Sequence, residues 1–516
     1  MSEPYYITTA ISYPNGRPHI GHAYEAIATD AIARFQRLQG RDVFFMTGTD
    51  EHGLKMVQTA RDKGVETPAL AEEMSGYFRD MVAALNISCD RFIRTSEPAH
   101  HAASQAIWQA MEANGDLYLD RYEGWYSVRD EAYYDEKELT GEGDERRSPQ
   151  GTPVVWTAEE SWFFKLSNYQ QILLDHFEKH PDFIRPESRR NEILRFVEGG
   201  LSDLSVSRTS FDWGVKVPGS DGHVMYVWVD ALTNYLTGIG YPNDRATFDR
   251  YWPADVHIIG KDIVRFHAVY WPAFLLSAGL ALPKQVFGHG FLLNRGEKMS
   301  KSLGNVADPL ELAARFGVDQ LRYFLLSEVT FGNDGSYSAE AIVTRCNADL
   351  ANSFGNLAQR TLSFIAKNLG TLPTGGRGDA ADGELSAQIA EITRREVPAA
   401  FADLALSQGI EAWLRGVFAC NQYIDAQAPW ALRKTDPERM NAVLETLVRA
   451  IRDLAIAISP VIPAACDRLL DQLGAGARDY AALEDGGWYH QLAASGFVLS
   501  PPTGIFPRLE AVAAEG

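Results

Sequence analysis

The first fifty residues restrict the fold more than any other stretch. "YYITTAISYP" is rich in β-branched and aromatic residues and is broken at Pro14-Asn15-Gly16. Beyond it, Ile27, Ala31, Ile32, Phe35 and Leu38 recur on one helical stripe that Gly40 closes. "DVFFMTGTDEHG" then reads as a second buried strand. Strand, helix and strand in that order predict a parallel sheet with right-handed crossovers, an α/β fold of Rossmann type. Ligands of such a sheet lie beyond the carboxyl ends of its strands, where His19, His22, Asp50 and His52 fall.

The alternation is interrupted once and then abandoned. "DLYLDRYEGWYSVRDEAYYDEKEL" and "RRSPQGTPVVWTAEESWFFKL" are aromatic and punctuated by turns, which predicts an insertion of short β-elements. Strand–helix alternation resumes with "VMYVWVDALTNYL", "DVHIIGKDIVRFHAVYWPAFLLSAGL" and "QVFGHGFLLN". After Tyr337 amphipathic helical runs occupy roughly 340–367, 385–397, 401–424 and 437–458, the last opened by Asp436-Pro437. The expected organisation is a sheet domain in two halves, 1–113 and 225–290, around an insertion at 114–224. A loop region at 291–340 and a helical bundle at 341–516 follow, the C-terminal segment "IFPRLEAVAAEG" turning back to the core.

Composition excludes several classes. The 516 residues are 46% hydrophobic and 22% charged, as in ordinary globular chains. The N-terminus has no basic segment followed by an apolar run, and no apolar stretch approaches ~18 residues, so the expectation is a cytoplasmic protein without a membrane span. Cys89, Cys346, Cys420 and Cys466 are scattered without a CxxC pair, which speaks against disulfides and against a cysteine zinc site. A net charge of -20 argues mildly against polyanion partners, so any RNA contact would need a local basic face.

Two motifs carry chemistry. In "HIGH", His19 and His22 stand three apart at a helix start and share a face. Backbone N–H groups and the helix dipole make that end an anion site, and Gly21 leaves room for a nucleotide. A chance pair of surface histidines is the plain alternative. Far downstream, "GEKMSKSLGN" sets Lys298 and Lys301 around a serine in a glycine-flanked loop, which suits closure of two ammonium groups over a polyphosphate. A solvated turn is the alternative there.

Together these motifs resemble the paired signature of the class I aminoacyl-tRNA synthetases and, within them, the methionyl-tRNA synthetase family. "YPNGRPHIGHAY", "TGTDEHG", "YEGWYSVRDEAYYDEKEL", "VWVDALTNYL", "GKDIVRFHAVYWPAFL", "GEKMSKSLGN" and "NLAQR" match that family in order over essentially the whole chain. The resemblance implies ATP, with Mg2+, as substrate and attack of the methionine carboxylate on the α-phosphate. The methionyl group then passes from the adenylate to tRNA(Met), initiator and elongator, for translation. It implies His19 and His22 as stabilisers of the pentacoordinate phosphate and Lys298 and Lys301 as holders of pyrophosphate. Gly21, Met299 and Ser300 would complete the ATP site.

The resemblance also implies a methionine pocket of Ile11, Tyr13, Trp228, Ala231, Tyr235, His267 and Tyr270, with Asp50 on the α-ammonium. Aromatic walls suit a polarizable thioether, although Trp228 and Tyr235 would pass equally as core residues on pattern alone. The insertion is short beside the editing insertions of the leucine, isoleucine and valine enzymes, which must separate small apolar side chains. Many relatives carry zinc-binding cysteine pairs around "YEGWYSVRDEAYY". Here Ser127 stands there instead, so a metal-free knuckle packed by Trp125, Tyr126, Tyr133 and Tyr134 is expected. Asn356 and Arg360, four apart on one helix face, and Trp430 match the family's anticodon readers, which suits recognition of unstacked bases. A monomer is expected. Two rivals stay open here: a small-molecule nucleotidyltransferase, which needs neither the bundle nor the lysine loop, and a tRNA-binding paralogue without catalysis.

Overall fold

The structure, a computed structural model, describes residues 2–130, 132–294, 296 and 307–510. Its central element is a six-stranded, wholly parallel sheet in the order Arg91–Arg94, Asp42–Thr49, Pro4–Thr9, Val256–Gly260, Val286–His289, Ile184–Arg185. Ile7 stands between Phe45 on one side and Val256 on the other. Both faces are covered, which is why these strands read as continuous apolar runs. The chain order reverses between Pro4–Thr9 and Val256–Gly260, so a crevice opens beyond the carboxyl ends of those two strands.

The helix Ile20–Leu38 packs Ala23, Ile27, Ala31 and Phe35 into the core below this crevice. It ends at Gln39, and Gly40 takes the left-handed conformation with φ of +81° that makes glycine suitable there.

The insertion differs from the expected single block at 114–224. Ala132–Tyr134, Leu117–Ser127, Val155–Phe164 and Leu204–Ser205 form their own antiparallel sheet. Ile184–Arg185, from inside that block, pairs instead with Val286 and Phe287 and supplies the edge of the parallel sheet. Two residues are too few to carry a period, so only the fold reveals this strand.

The helical region begins at Ala339 and is built around Pro437–Ile458, whose inner face from Val443 to Ile458 is buried. The Asp436 carboxylate accepts from the Arg439 N–H at 3.1 Å, and Pro437 occupies the first turn, as the sequence predicts. Arg322 joins this region to the sheet domain. Fully buried, it donates to Asp30 Oδ2 at 2.6 Å and to the carbonyls of Pro460 at 2.9 Å and Val461 at 3.0 Å. The C-terminal segment, through Glu510, lies on helices and not on the sheet. Asn347 exchanges two hydrogen bonds with the Leu509 backbone, at 2.9 and 2.8 Å, and Phe506 packs beside Gly355.

Candidate active site

A cavity of about 470 Å3 fills the crevice. Its wall takes Ala10 and Ile11 from beyond the first strand, Asp50 from beyond the second, Gly260 from the end of the strand Val256–Gly260, and Asp262 and Ile263 from beyond it. Strand ends, rather than strand interiors, provide the functional side chains.

On one side stands the start of the helix Ile20–Leu38. His19 is its N-cap and accepts the Gly21 N–H at Nδ1 over 3.1 Å. His22 Nδ1 in turn accepts the His19 N–H at 3.1 Å, which completes a reciprocal capping box. The rings stack with centroids 3.8 Å apart. Because each Nδ1 accepts a backbone N–H, the neutral rings carry their protons on Nε2, and both become hydrogen-bond donors at an anion-attracting helix end. Gly21 lines the cavity, and a Cβ there would stand 2.9 Å from His19 Cε1, so glycine makes room for the capping imidazole.

The opposite side is aromatic. Trp228, Ala231 and Tyr235 lie on one face of the helix Val227–Thr237 and line the cavity with Ile11, Tyr13 and His267. Trp228 stacks on Phe266 at 3.9 Å with the planes 4° apart. His267 Nδ1–H donates to the Ile263 carbonyl at 2.9 Å, so its Nε2 accepts the Tyr235 hydroxyl at 2.7 Å. Burial lowers the His267 pKa to about 4 and raises that of Tyr235 well above its ordinary value, so both are neutral near pH 7. The Tyr13 hydroxyl accepts the Met56 N–H at 3.0 Å.

Two expected residues stand elsewhere. Tyr270 does not line this cavity; it lines a second one, of about 480 Å3, with Arg265 and Tyr134. The segment Phe266–Tyr270 is a π-turn, wider than an α-turn, so His267 and Tyr270 do not share the face that a three-residue spacing implies. Phe266 takes the wall position instead. His52 turns away from the cavity and binds Asp230 at 2.6 Å. Its strand ends at Thr49, and alternation lapses before His52.

Lys298, Met299, Ser300 and Lys301 lie outside the described residues. The flanks are described. Phe291 and Leu292 line the cavity, and the Ala307 carbonyl accepts the Ile20 N–H at 3.1 Å beside the two histidines.

Several cavity residues escape the sequence reading. Glu25 binds His289 Nε2 at 2.8 Å, and Asp262, Asn234, Arg129 and Gln150 also contribute. Burial pushes the Glu25 carboxyl up even though His289 faces it, while the His289 imidazole is raised by Glu25 against the effect of burial. Glu25 was within reach, since it follows His22 by three positions on the same helix face.

The knuckle is held by more than aromatic packing. Ser148 and Tyr134 donate to Asp130 Oδ2 at 2.7 and 3.2 Å, and Thr152 donates to the same oxygen. Ser127 binds Thr152 at 2.8 Å and accepts the Asp130 N–H at 3.1 Å. Tyr126 and Tyr133 pack at 5.0 Å beside this polar knot. Among the described residues no group of three or more His, Cys, Asp or Glu side chains is arranged to hold a metal, and no helix is long and apolar enough to cross a membrane.

On the helical region, Arg360 lies over the Trp430 ring at 5.3 Å and binds Asp425 at 2.7 Å. Asn356 is exposed one turn earlier on the same helix, Asn356–Asn368. The three expected anticodon residues therefore share one surface.

Residues 5–150 and 145–362 match the profile of the family described as tRNA synthetases class I (M), and 372–515 match the anticodon binding domain of methionyl tRNA ligase. The methionine–tRNA ligase of Mesorhizobium japonicum is 57% identical over 515 residues, covering 98% of both chains, and that of Brucella suis is 58% identical over 510 residues with the same coverage. Among solved structures, the Mycobacterium tuberculosis methionyl-tRNA synthetase in complex with methionyl-adenylate superposes with a TM-score of 0.94 at 55% identity, covering 98% of this chain and 100% of that one. Matched in sequence and in fold over nearly its full length, this chain belongs to the methionyl-tRNA synthetase family of class I aminoacyl-tRNA synthetases.

Proposed function

We infer that the protein ligates L-methionine to tRNA(Met) at the expense of ATP, through a methionyl-adenylate intermediate. The observation that carries this reading is a single cavity with an anion-attracting helix start on one side and an aromatic, uncharged wall on the other. A triphosphate suits the first and a thioether side chain the second.

In our reading Asp50 receives the methionine ammonium. Trp228, Ala231, Tyr235, Tyr13, Ile11 and His267 enclose the side chain. The carboxylate oxygen attacks the α-phosphorus in line while the bond to pyrophosphate breaks. His19 and His22 donate to the equatorial oxygens through Nε2–H, and charge spreading with positioning supplies most of the acceleration. Lys298 and Lys301 take the departing pyrophosphate. In the second step the 2′-hydroxyl of the terminal adenosine attacks the methionyl carbonyl, AMP leaves, and Glu25, His289 and Asp262 bound the nucleoside end of the cavity. In our reading Mg2+ would accompany ATP as part of the substrate and would offset charge on its phosphates, and no step here depends on it.

Asn356, Arg360 and Trp430 read the anticodon of both initiator and elongator tRNA(Met). In our reading the protein acts as a monomer. Its use of ATP and tRNA fits work in the cytoplasm.

The test is ATP–pyrophosphate exchange without tRNA, assayed against each proteinogenic amino acid with wild type and Lys301→Ala. Exchange supported by methionine and largely lost in the variant is expected. Exchange with a different amino acid overturns the pocket assignment, and exchange with none overturns the activity.

A further inference from the structure

Three consecutive side chains beyond the strand Asp42–Thr49 leave in three directions. Asp50 faces the cavity. Glu51 is held by Arg94 Nε at 2.6 Å and by Ser75. His52 Nδ1 reaches Asp230 Oδ2 at 2.6 Å.

Asp230 belongs to the helix whose other face forms the aromatic wall, between Trp228 and Ala231. Its second oxygen binds His100 Nε2 at 2.6 Å, and His100 Nδ1 meets Thr237 Oγ1, at the end of the same helix, at 3.0 Å. The Thr237 hydroxyl already donates to the Thr233 carbonyl at 3.1 Å, so it accepts from His100. Asp230, His52 and His100 are all nearly or fully buried. Burial alone would raise the Asp230 carboxyl, yet His52 and His100 hold it well below the usual carboxylate range.

A buried charged group gains little over apolar packing as a source of stability, but its directional bonds fix a distance. The distance fixed here is between the loop that carries Asp50 and the helix that carries Trp228, Ala231 and Tyr235.

We propose that Asp230, through His52 and His100, is a positioning residue that sets the spacing between the ammonium-binding carboxylate and the aromatic wall of the methionine pocket. This rests on the pocket assignment above. A shift of well under an ångström in that spacing separates the two ends of methionine's site and leaves the nucleotide side, built on a different helix start, untouched.

The experiment is methionine-dependent ATP–pyrophosphate exchange with His52→Ala, His52→Asn and Asp50→Asn. His52→Ala is expected to raise the methionine KM about tenfold, with kcat and the ATP KM within about threefold of wild type. His52→Asn, whose Nδ2–H replaces the lost donor, is expected to recover most of that loss. An unchanged methionine KM in His52→Ala, an equal rise in the ATP KM, or an asparagine variant no better than alanine overturns the proposal. If Asp50→Asn leaves the methionine KM unchanged, the pocket assignment falls instead. Should His52→Ala fail to fold, Thr237→Val, which removes the oxygen orienting His100, is expected to raise the methionine KM about threefold, and no rise there overturns the proposal equally.

Discussion

Tyr235 and His267 at the floor of the cavity are buried and joined by a 2.7 Å hydrogen bond, whereas Trp430 on the helical region keeps 48% of its surface exposed and meets Arg360 only as a cation over its ring. On the functions proposed for the two surfaces, the difference follows from the ligands each would meet. An amino acid offers few atoms, so its site must be dry and held in place before binding. An RNA loop brings its own area and closes its own bases over an exposed ring, so its readers can stay half-solvated until then.

The sharpest way to break this comparison is to remove a preset donor without disturbing its scaffold. His19→Asn keeps a good N-cap acceptor for the helix Ile20–Leu38 but removes the Nε2–H. We predict a fall of roughly a hundred- to a thousandfold in the ATP–pyrophosphate exchange rate with an unchanged thermal midpoint, the scale seen when one transition-state donor is lost. A variant that loses stability but keeps its rate would make His19 a cap and nothing more.

The dryness of the pocket has a pH signature. With the folded His267 pKa held to about 4 and the unfolded value near 6.5, the unfolded chain binds this proton first as pH falls. Stability is therefore lost between pH 6.5 and 4, roughly 2 kcal/mol of it by pH 5. Urea midpoints at pH 7 and pH 5 should show His267→Gln losing less than wild type by that amount. An equal loss in both would mean the site is wet. The smallest effect belongs to the exposed surface. Base stacking is worth about 1–3 kcal/mol, and a half-exposed indole should realise the lower part of that range. Trp430→Ala should thus lower kcat/KM for tRNA aminoacylation about tenfold and leave pyrophosphate exchange unmoved. Altered exchange would tie the two regions together.

What the sequence made legible follows the same division of local from distant. The capped helix after "HIGH" and the Asp436-Pro437 start are local patterns, and they form where the residues say. Tyr270 entered the expected pocket by resemblance and His52 by lying beyond the strand Asp42–Thr49, and a π-turn and the end of that strand carry the two side chains elsewhere. Neither irregularity has a local signal. Asp230 was hidden for another reason. "VWVDA" gives no hint that its aspartate meets His52 and His100, since those partners come from separate elements that only the sheet brings together. Arg322, far along the chain from Asp30, is the same kind of long-range partner.

The edge strand Ile184–Arg185 bears on protein engineering. An insertion that looks removable between residues 114 and 224 contributes the outermost strand of the host sheet, and Phe183 and Ile184 cover the flank of Val286. Excising the whole block would bare an apolar ladder edge, a template for aggregation. A shortened enzyme would have to be cut within the hairpin of Leu117–Ser127 and Val155–Phe164, with the segment from Phe183 to Glu198 left grafted to the sheet. The boundary of a module, for splicing purposes, is set by which backbone it hydrogen-bonds and not by where the chain enters and leaves.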